Sequence, residues 1–172
     1  MTRFRPLPPR LAIALCAGGG LLIAWFLSGC QTSEPSPLDQ PLVARFFLEA
    51  RAGNPAVPMQ VPVSKTLINV NPKPVLVEYD IANVEFAKVA LGWCLYFQFT
   101  PADSRDLYRL TSTNPGARLV LTLNDTPVGV RPIDQVIADG NLLTFVELPP
   151  DQLPPIAERL KRTAAKLAKQ GR

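Results

Sequence analysis

The 172-residue chain contains no histidine and only three cysteines. Without histidine there is no Ser-His-Asp or Cys-His nucleophile and no His-ligated zinc. Three cysteines, one of them inside an apolar run, do not complete a structural zinc site. Neither a P-loop nor a Gly-x-Gly-x-x-Gly stretch occurs, so the usual phosphate cradles are missing. The carboxylates Asp80/Glu85 and Asp103/Asp106 occupy ordinary polar positions and do not mark a hydrolase. The expectation is a protein that is not an enzyme, with no catalytic residue, cofactor, metal or small-molecule substrate. No internal repeat is evident.

Acid is also absent from the beginning of the chain: no Asp or Glu precedes Glu34, whereas Arg3, Arg5 and Arg10 do. An apolar run over residues 11–27 follows these arginines and ends in Leu27-Ser28-Gly29-Cys30. A positive lead, an apolar stretch and small residues before a cut site make an export signal. Leu-Ser-Gly-Cys resembles a bacterial lipobox, in which the cysteine sulfur takes a diacylglycerol before cleavage and the new N-terminus is then acylated. That reading makes residues 1–29 a signal peptide cleaved after Gly29. It starts the mature chain at a lipidated Cys30, held in the bilayer by about 0.8 kcal/mol per buried methylene. The alternative is a single uncleaved N-terminal anchor. It would need about 20 apolar residues, and Gly18-Gly19-Gly20 interrupts this run. Gln31, which is not aspartate, favours the outer membrane by resemblance to the sorting rule of some Gram-negative bacteria. The expected location is the cell envelope, lipid-anchored and facing the periplasm. Residues 30–41, with Pro35, Pro37 and Pro41, read as an extended tether.

The formal charge of +4 is unevenly spread. Residues 159–172 carry Arg159, Lys161, Arg162, Lys166, Lys169 and Arg172 with no acid, and the rest of the chain beyond Cys30 is acidic. The basic stretch reads first as the solvated face of a helix complementing its C-terminal dipole. Docking on anionic headgroups is the second reading. A nucleic-acid partner does not fit an exported and otherwise acidic chain. With Cys30 lipidated, Cys94 has no partner for a disulfide, and Trp93-Cys94-Leu95-Tyr96-Phe97 reads it as a small buried filler.

One domain is expected over residues 42–170. Leu42 to Arg51 reads as a strand. Val57–Val63 and Thr66–Val70 are short β-runs broken by Pro58 and Pro62, which suggests an edge. Asn71-Pro72-Lys73-Pro74 is a turn, and Val75–Tyr79 is extended. Val84–Leu91 fits helix or strand, and Trp93–Phe99 is a strand. Thr100-Pro101-Ala102-Asp103 starts a helix, with a hydroxyl cap, proline at the first position and an acid in the first turn. Leu107, Leu110 and Thr111 share a side of that helix, which stops before Asn114-Pro115-Gly116. A hairpin follows: Arg118–Leu123, a turn at Asn124-Asp125, then Val128–Ile133. Asp139-Gly140-Asn141 turns into a strand over Leu142–Leu148. A last helix capped by Asp151 places Ile156, Leu160, Thr163/Ala164 and Leu167 on one face. The fold class is α+β, a single mostly antiparallel sheet with two main helices packed on one face.

From Phe97 through Gly140 the sequence resembles the head subdomain of the first periplasmic domain of SecD, an accessory subunit of Sec-dependent export. The resemblance rests on Phe99-Thr100, Thr111, Asn114, Gly116, Arg118-Leu119, Leu123, Ile133, Ile137 and Gly140. Two departures stand out. Asn124-Asp125 replaces the family's Asp-Gly turn, and Gly129-Val130-Arg131 replaces its Ser-Ala-Pro, with Pro132 one place late. SecD's proton-coupled work uses charged residues in transmembrane helices, so it is not implied here. The resemblance implies a binding module that contacts unfolded secreted polypeptide or the Sec translocon. Val61 and Val63 on the proline-rich edge and Asn124 and Asp125 at the hairpin turn are candidate contact residues, along with the aromatic strand Trp93–Phe99. A structural lipoprotein that scaffolds an envelope complex through one folded partner is the alternative function.

Overall fold

A computed structural model describes residues 41–170. The expectations for Gly29, Cys30, Gln31 and the tether up to residue 40 therefore lie outside the described residues. Eight strands and two helices follow in order: β1 (Ala44–Leu48), β2 (Val57–Gln60), β3 (Leu67–Val70), β4 (Ile81–Val89), β5 (Gly92–Phe99), α1 (Pro101–Thr113), β6 (Arg118–Leu123), β7 (Thr126–Pro132), β8 (Asn141–Phe145) and α2 (Leu153–Gln170).

The expected single sheet is three small ones. Every pairing is antiparallel, with strand orders β1-β6-β7, β2-β3 and β4-β5-β8. Single bridges link them, Glu49 to Val70 and Gly129 to Val146. The link at Gly129 depends on the missing side chain. A Cβ there would lie 2.4 Å from the Phe145 carbonyl oxygen, so β7 and the end of β8 meet at one glycine. Glu147 N–H adds a bond to Val128 O at 2.7 Å, and the ladder goes no further.

Two apolar clusters explain the pattern along β1 and β6. Phe46, Leu48, Leu119, Leu121 and Leu123 join the main core with Val84, Leu95, Phe97 and Leu142. Phe47 and Val120, on the opposite face, pack with Ile68 and Val70 of β3. The sheet β1-β6-β7 is thus buried on both faces, and its strands read as continuous apolar runs instead of alternating ones. Leu107 of α1 and Ala157, Leu160 and Ala164 of α2 complete the main core. Phe46 meets Phe97 edge to face at 5.0 Å, tying the two larger sheets together.

The helix start holds as expected. Thr100, extended at φ −64° and ψ 160°, accepts from Asp103 N–H, and Pro101 opens the helix. Val84–Leu91 resolves as strand, because β4 pairs with β5 through a tight turn at Ala90-Leu91. Val75–Tyr79 forms no named strand and contributes one bridge, Leu76 to Phe46. Asp151 lies inside a short 3-10 turn, Pro150–Gln152, and α2 begins just after it at Leu153. No helix among the described residues is long and apolar enough to cross a membrane.

Candidate functional site

Residues 134–140 cross from β7 to β8 as a strap over α1, and the residues of the Phe97–Gly140 pattern hold it there. Thr111 Oγ1 donates to Leu107 O at 2.9 Å and accepts Ile137 N–H at 3.0 Å, both inside the core. At the other end Gly140 has φ +72°, and a Cβ on it would meet Ser104 Oγ at 2.1 Å. Only glycine lets the strap lie against the first turn of α1. Gly140 O also accepts Phe99 N–H at 3.0 Å, closing the strap onto β5.

The remaining pattern residues secure the exit of α1. Asn114 Nδ2 donates to Leu110 O at 2.9 Å, and Gly116, at φ +78°, donates its N–H to Ile133 O at 2.9 Å. Arg118 grips Glu49: Nε donates to Oε2 at 2.9 Å, Nη2 donates to Oε1, and the backbone N–H adds a third bond at 3.1 Å. That guanidinium holds the Glu49 carboxyl below its ordinary value. These residues build and brace the fold around the strap.

The strap separates two open depressions. One, of about 410 Å³, lies between the strap and the outer face of β5-β8, lined by Tyr96, Leu143, Arg131, Gln135 and Asn141 among others. The other, of about 580 Å³, runs along α1 past Arg105, Tyr108 and Arg109. Ala138 of the strap touches the second and, with Val136 and Ile137, the first. Arg131 Nη2 donates to Asp134 Oδ1 at 2.9 Å, while its buried Nε meets no acceptor among the described residues. The groove lining therefore mixes apolar side chains (Leu143, Val136, Ile137) with amide, phenol and guanidinium groups (Gln135, Asn141, Tyr96, Arg131) in about equal measure.

The four contact residues named from sequence separate. Val61 is 1% exposed and its N–H is bonded to Thr66 O at 3.0 Å, so it is core and not accessible edge. Val63 is exposed, but Val63 and Ser64 N–H both donate to Glu147 Oε2, at 2.7 and 2.9 Å, so this backbone is already engaged. Asn124 and Asp125 form the tight turn, at φ 45° and 66°. Asn124 Oδ1 accepts Val43 N–H at 2.9 Å, extending the β1-β6 pairing, and Asp125 pairs with Arg45. Strand β2 is a poor docking edge. Asn69 O accepts Ala50 N–H on the far side of β3, so Pro58 opposite it turns outward, where it has no N–H to offer. The strap groove was missed in the sequence because its lining comes from β5, β7, β8 and a loop with no periodicity.

The acids are occupied structurally. Asp80 Oδ2 accepts Val77 N–H at 2.7 Å, and burial, followed by nearby Asp103, Asp106 and Glu78, pushes its carboxyl up. Asp103, in the first turn of α1, accepts from the Thr100 hydroxyl, and Asp106 pairs with Arg109. Among the described residues no three His, Cys, Asp or Glu side chains gather as metal ligands. Cys94 is fully buried, donates to Ala87 O at 3.4 Å, and burial raises its thiol pKa.

No protein-family model and no curated protein sequence matches this chain. Solved structures do. SecDF in its super-membrane-facing form matches with a TM-score of 0.57 at 19% identity, over 69% of this chain and 18% of that one. A second, described as a membrane component SecDF that enhances protein export, matches at 0.56 and 17% identity, over 71% of this chain and 63% of that one. The described domain is SecD-like in fold, and the chain spans only part of the length of each of these neighbours.

Proposed function

We propose that the chain is a non-enzymatic envelope lipoprotein whose SecD-like domain assists protein export, holding emerging polypeptide or docking beside the Sec translocon. The observation that carries this reading is the fold shared with a membrane component that enhances protein export. The strap groove supports it, since its mixture of apolar and hydrogen-bonding side chains is tolerant of peptide sequence. Lipidation at Cys30 would hold the domain at the membrane face where precursors emerge, with residues 31–41 as spacer. Nothing in this role requires bond making at the domain.

The test is pulse-labelling of secretory precursors in cells that lack the chain. Uncleaved precursors should accumulate and should clear when the wild-type chain is restored. Complementation by Val136→Glu, at an exposed rim position of the groove, should be weaker. Labelled fatty acid should enter the wild-type chain and not Cys30→Ser. Unchanged precursor processing would leave the scaffold reading, in which the domain serves one folded envelope partner.

A further inference from the structure

The core-facing row of β4 does not end where the core ends. Val84 is buried in the main cluster together with Ala157, Leu160 and Ala164 of α2. Phe86 and Lys88 continue the same face beyond it, and Phe86 is 43% exposed. Phe86 stacks on Trp93 at 6.1 Å, and Lys88 Nζ lies over the Trp93 ring at 5.4 Å. Leu91 at the turn is 86% exposed, and Tyr79, just before the strand, is 64% exposed. Phe86, Lys88 and Leu91, with Trp93 across the turn, thus form an exposed group at the β4-β5 turn beyond the buried Ile81 and Val84, and none of it is used by the strap groove.

Helix α2 packs along this strand. Its buried side is Leu153, Ala157, Leu160, Thr163 and Ala164. Lys161, Arg162, Lys166 and Lys169 on its other sides are exposed, and no acid occurs from Arg159 to Gln170. From Phe86 to Gly92 there is likewise no acid. Glu85, the carboxylate within β4, alternates to the opposite sheet face, opposite Tyr96. The surface therefore joins apolar and aromatic side chains, ready to enter an interface, to a cationic flank.

We propose that the β4 row and the outer side of α2 form a docking surface for an anionic lipid bilayer. Aromatic rings favour the headgroup level, and Lys88 can keep its ammonium in water with its stem along Trp93. Each lysine or arginine near an anionic surface adds about 1 kcal/mol, falling off within a Debye length. The bilayer meets the β4-β5 turn end, where Phe86, Lys88, Leu91 and Trp93 gather past the part of β4 that α2 covers. This contact is separate from any anchor at Cys30, and it fixes which side of the domain faces the membrane.

The test places the full chain, carrying Trp25→Phe so that Trp93 is its only tryptophan, in two kinds of vesicle. One is phosphatidylcholine alone, and the other contains one-third phosphatidylglycerol. Trp93 emission should shift to shorter wavelength and be quenched by acyl-brominated lipid only with phosphatidylglycerol. The quenching should be lost at about 1 M salt, where the Debye length is about 3 Å, and in the triple variant Lys161→Gln, Lys166→Gln, Lys169→Gln. Identical, unquenched emission in both vesicles overturns the proposal. A blue shift produced by poly-glutamate over phosphatidylcholine vesicles, with none from phosphatidylglycerol, would overturn it in favour of an acidic protein partner.

Discussion

Two glycines of the shared pattern hold left-handed backbone for different reasons, and substitution separates them. At Gly116, φ +78°, a Cβ would meet nothing within 4 Å, so alanine costs only the conformational strain, about 1 kcal/mol. At Gly140 the same strain is joined by a collision with Ser104, and the loss should be about 2–4 kcal/mol. Denaturant midpoints for the two alanine variants check the difference, which would vanish if the strap can lift off α1. Carboxylates divide in a similar way. Glu49 is held low by Arg118, and Glu78 is held low by Arg45. Their contribution is complete above the unfolded glutamate value, about 4.3, and is lost as pH falls through the lower folded values. Asp80 is raised by burial, so its ionisation costs stability above the unfolded aspartate value, and this cost is relieved as pH falls. Glu49→Gln should therefore destabilise at neutral pH and flatten the acid limb of the stability profile. Asp80→Asn, which can still accept from Val77, should be neutral or stabilising there.

At the scale of elements, the strap is the feature that the sequence marked without describing. Thr111, Ile137 and Gly140 were legible as parts of a pattern, but their mutual contacts were not, since nothing in a threonine's position tells which distant N–H it accepts. Thr111→Val keeps the shape and leaves Ile137 N–H buried without an acceptor, at a cost of about 1–3 kcal/mol. Hydrogen exchange at Ile137 should then quicken well before exchange in β6, and equal exchange in both would contradict the strap as a separately held element. Strands and helix starts were readable because their signals are local: the Thr100 cap, the Asn124-Asp125 turn, the apolar run of β6. The division into three sheets was not, because it depends on pairings such as β1 with β6, whose residues lie far apart in the chain. Val61 misled for a related reason. Pro58 and Pro62 suggested an exposed edge, whereas Val61, just before the second of them, turns into the core.

For the whole molecule, the fold joins three readings of one chain. Residues 27–30 have the sequence expected of a lipidation signal, a SecD-like domain fills residues 41–170, and an open groove lies beside the strap. Export assistance is the proposed function that would use all three. The sequence carried the SecD-like fold further than it carried the site, because turn and cap residues determine a fold whereas a groove is assembled from elements distant in sequence. The most direct test is in-cell photocrosslinking with the reactive residue at Val136, on the groove rim, and at Asn124, away from it. The account predicts adducts from Val136 with many secretory precursors or with translocon subunits, and few from Asn124. A single folded envelope partner captured from both positions, with no precursor among the adducts, would contradict it.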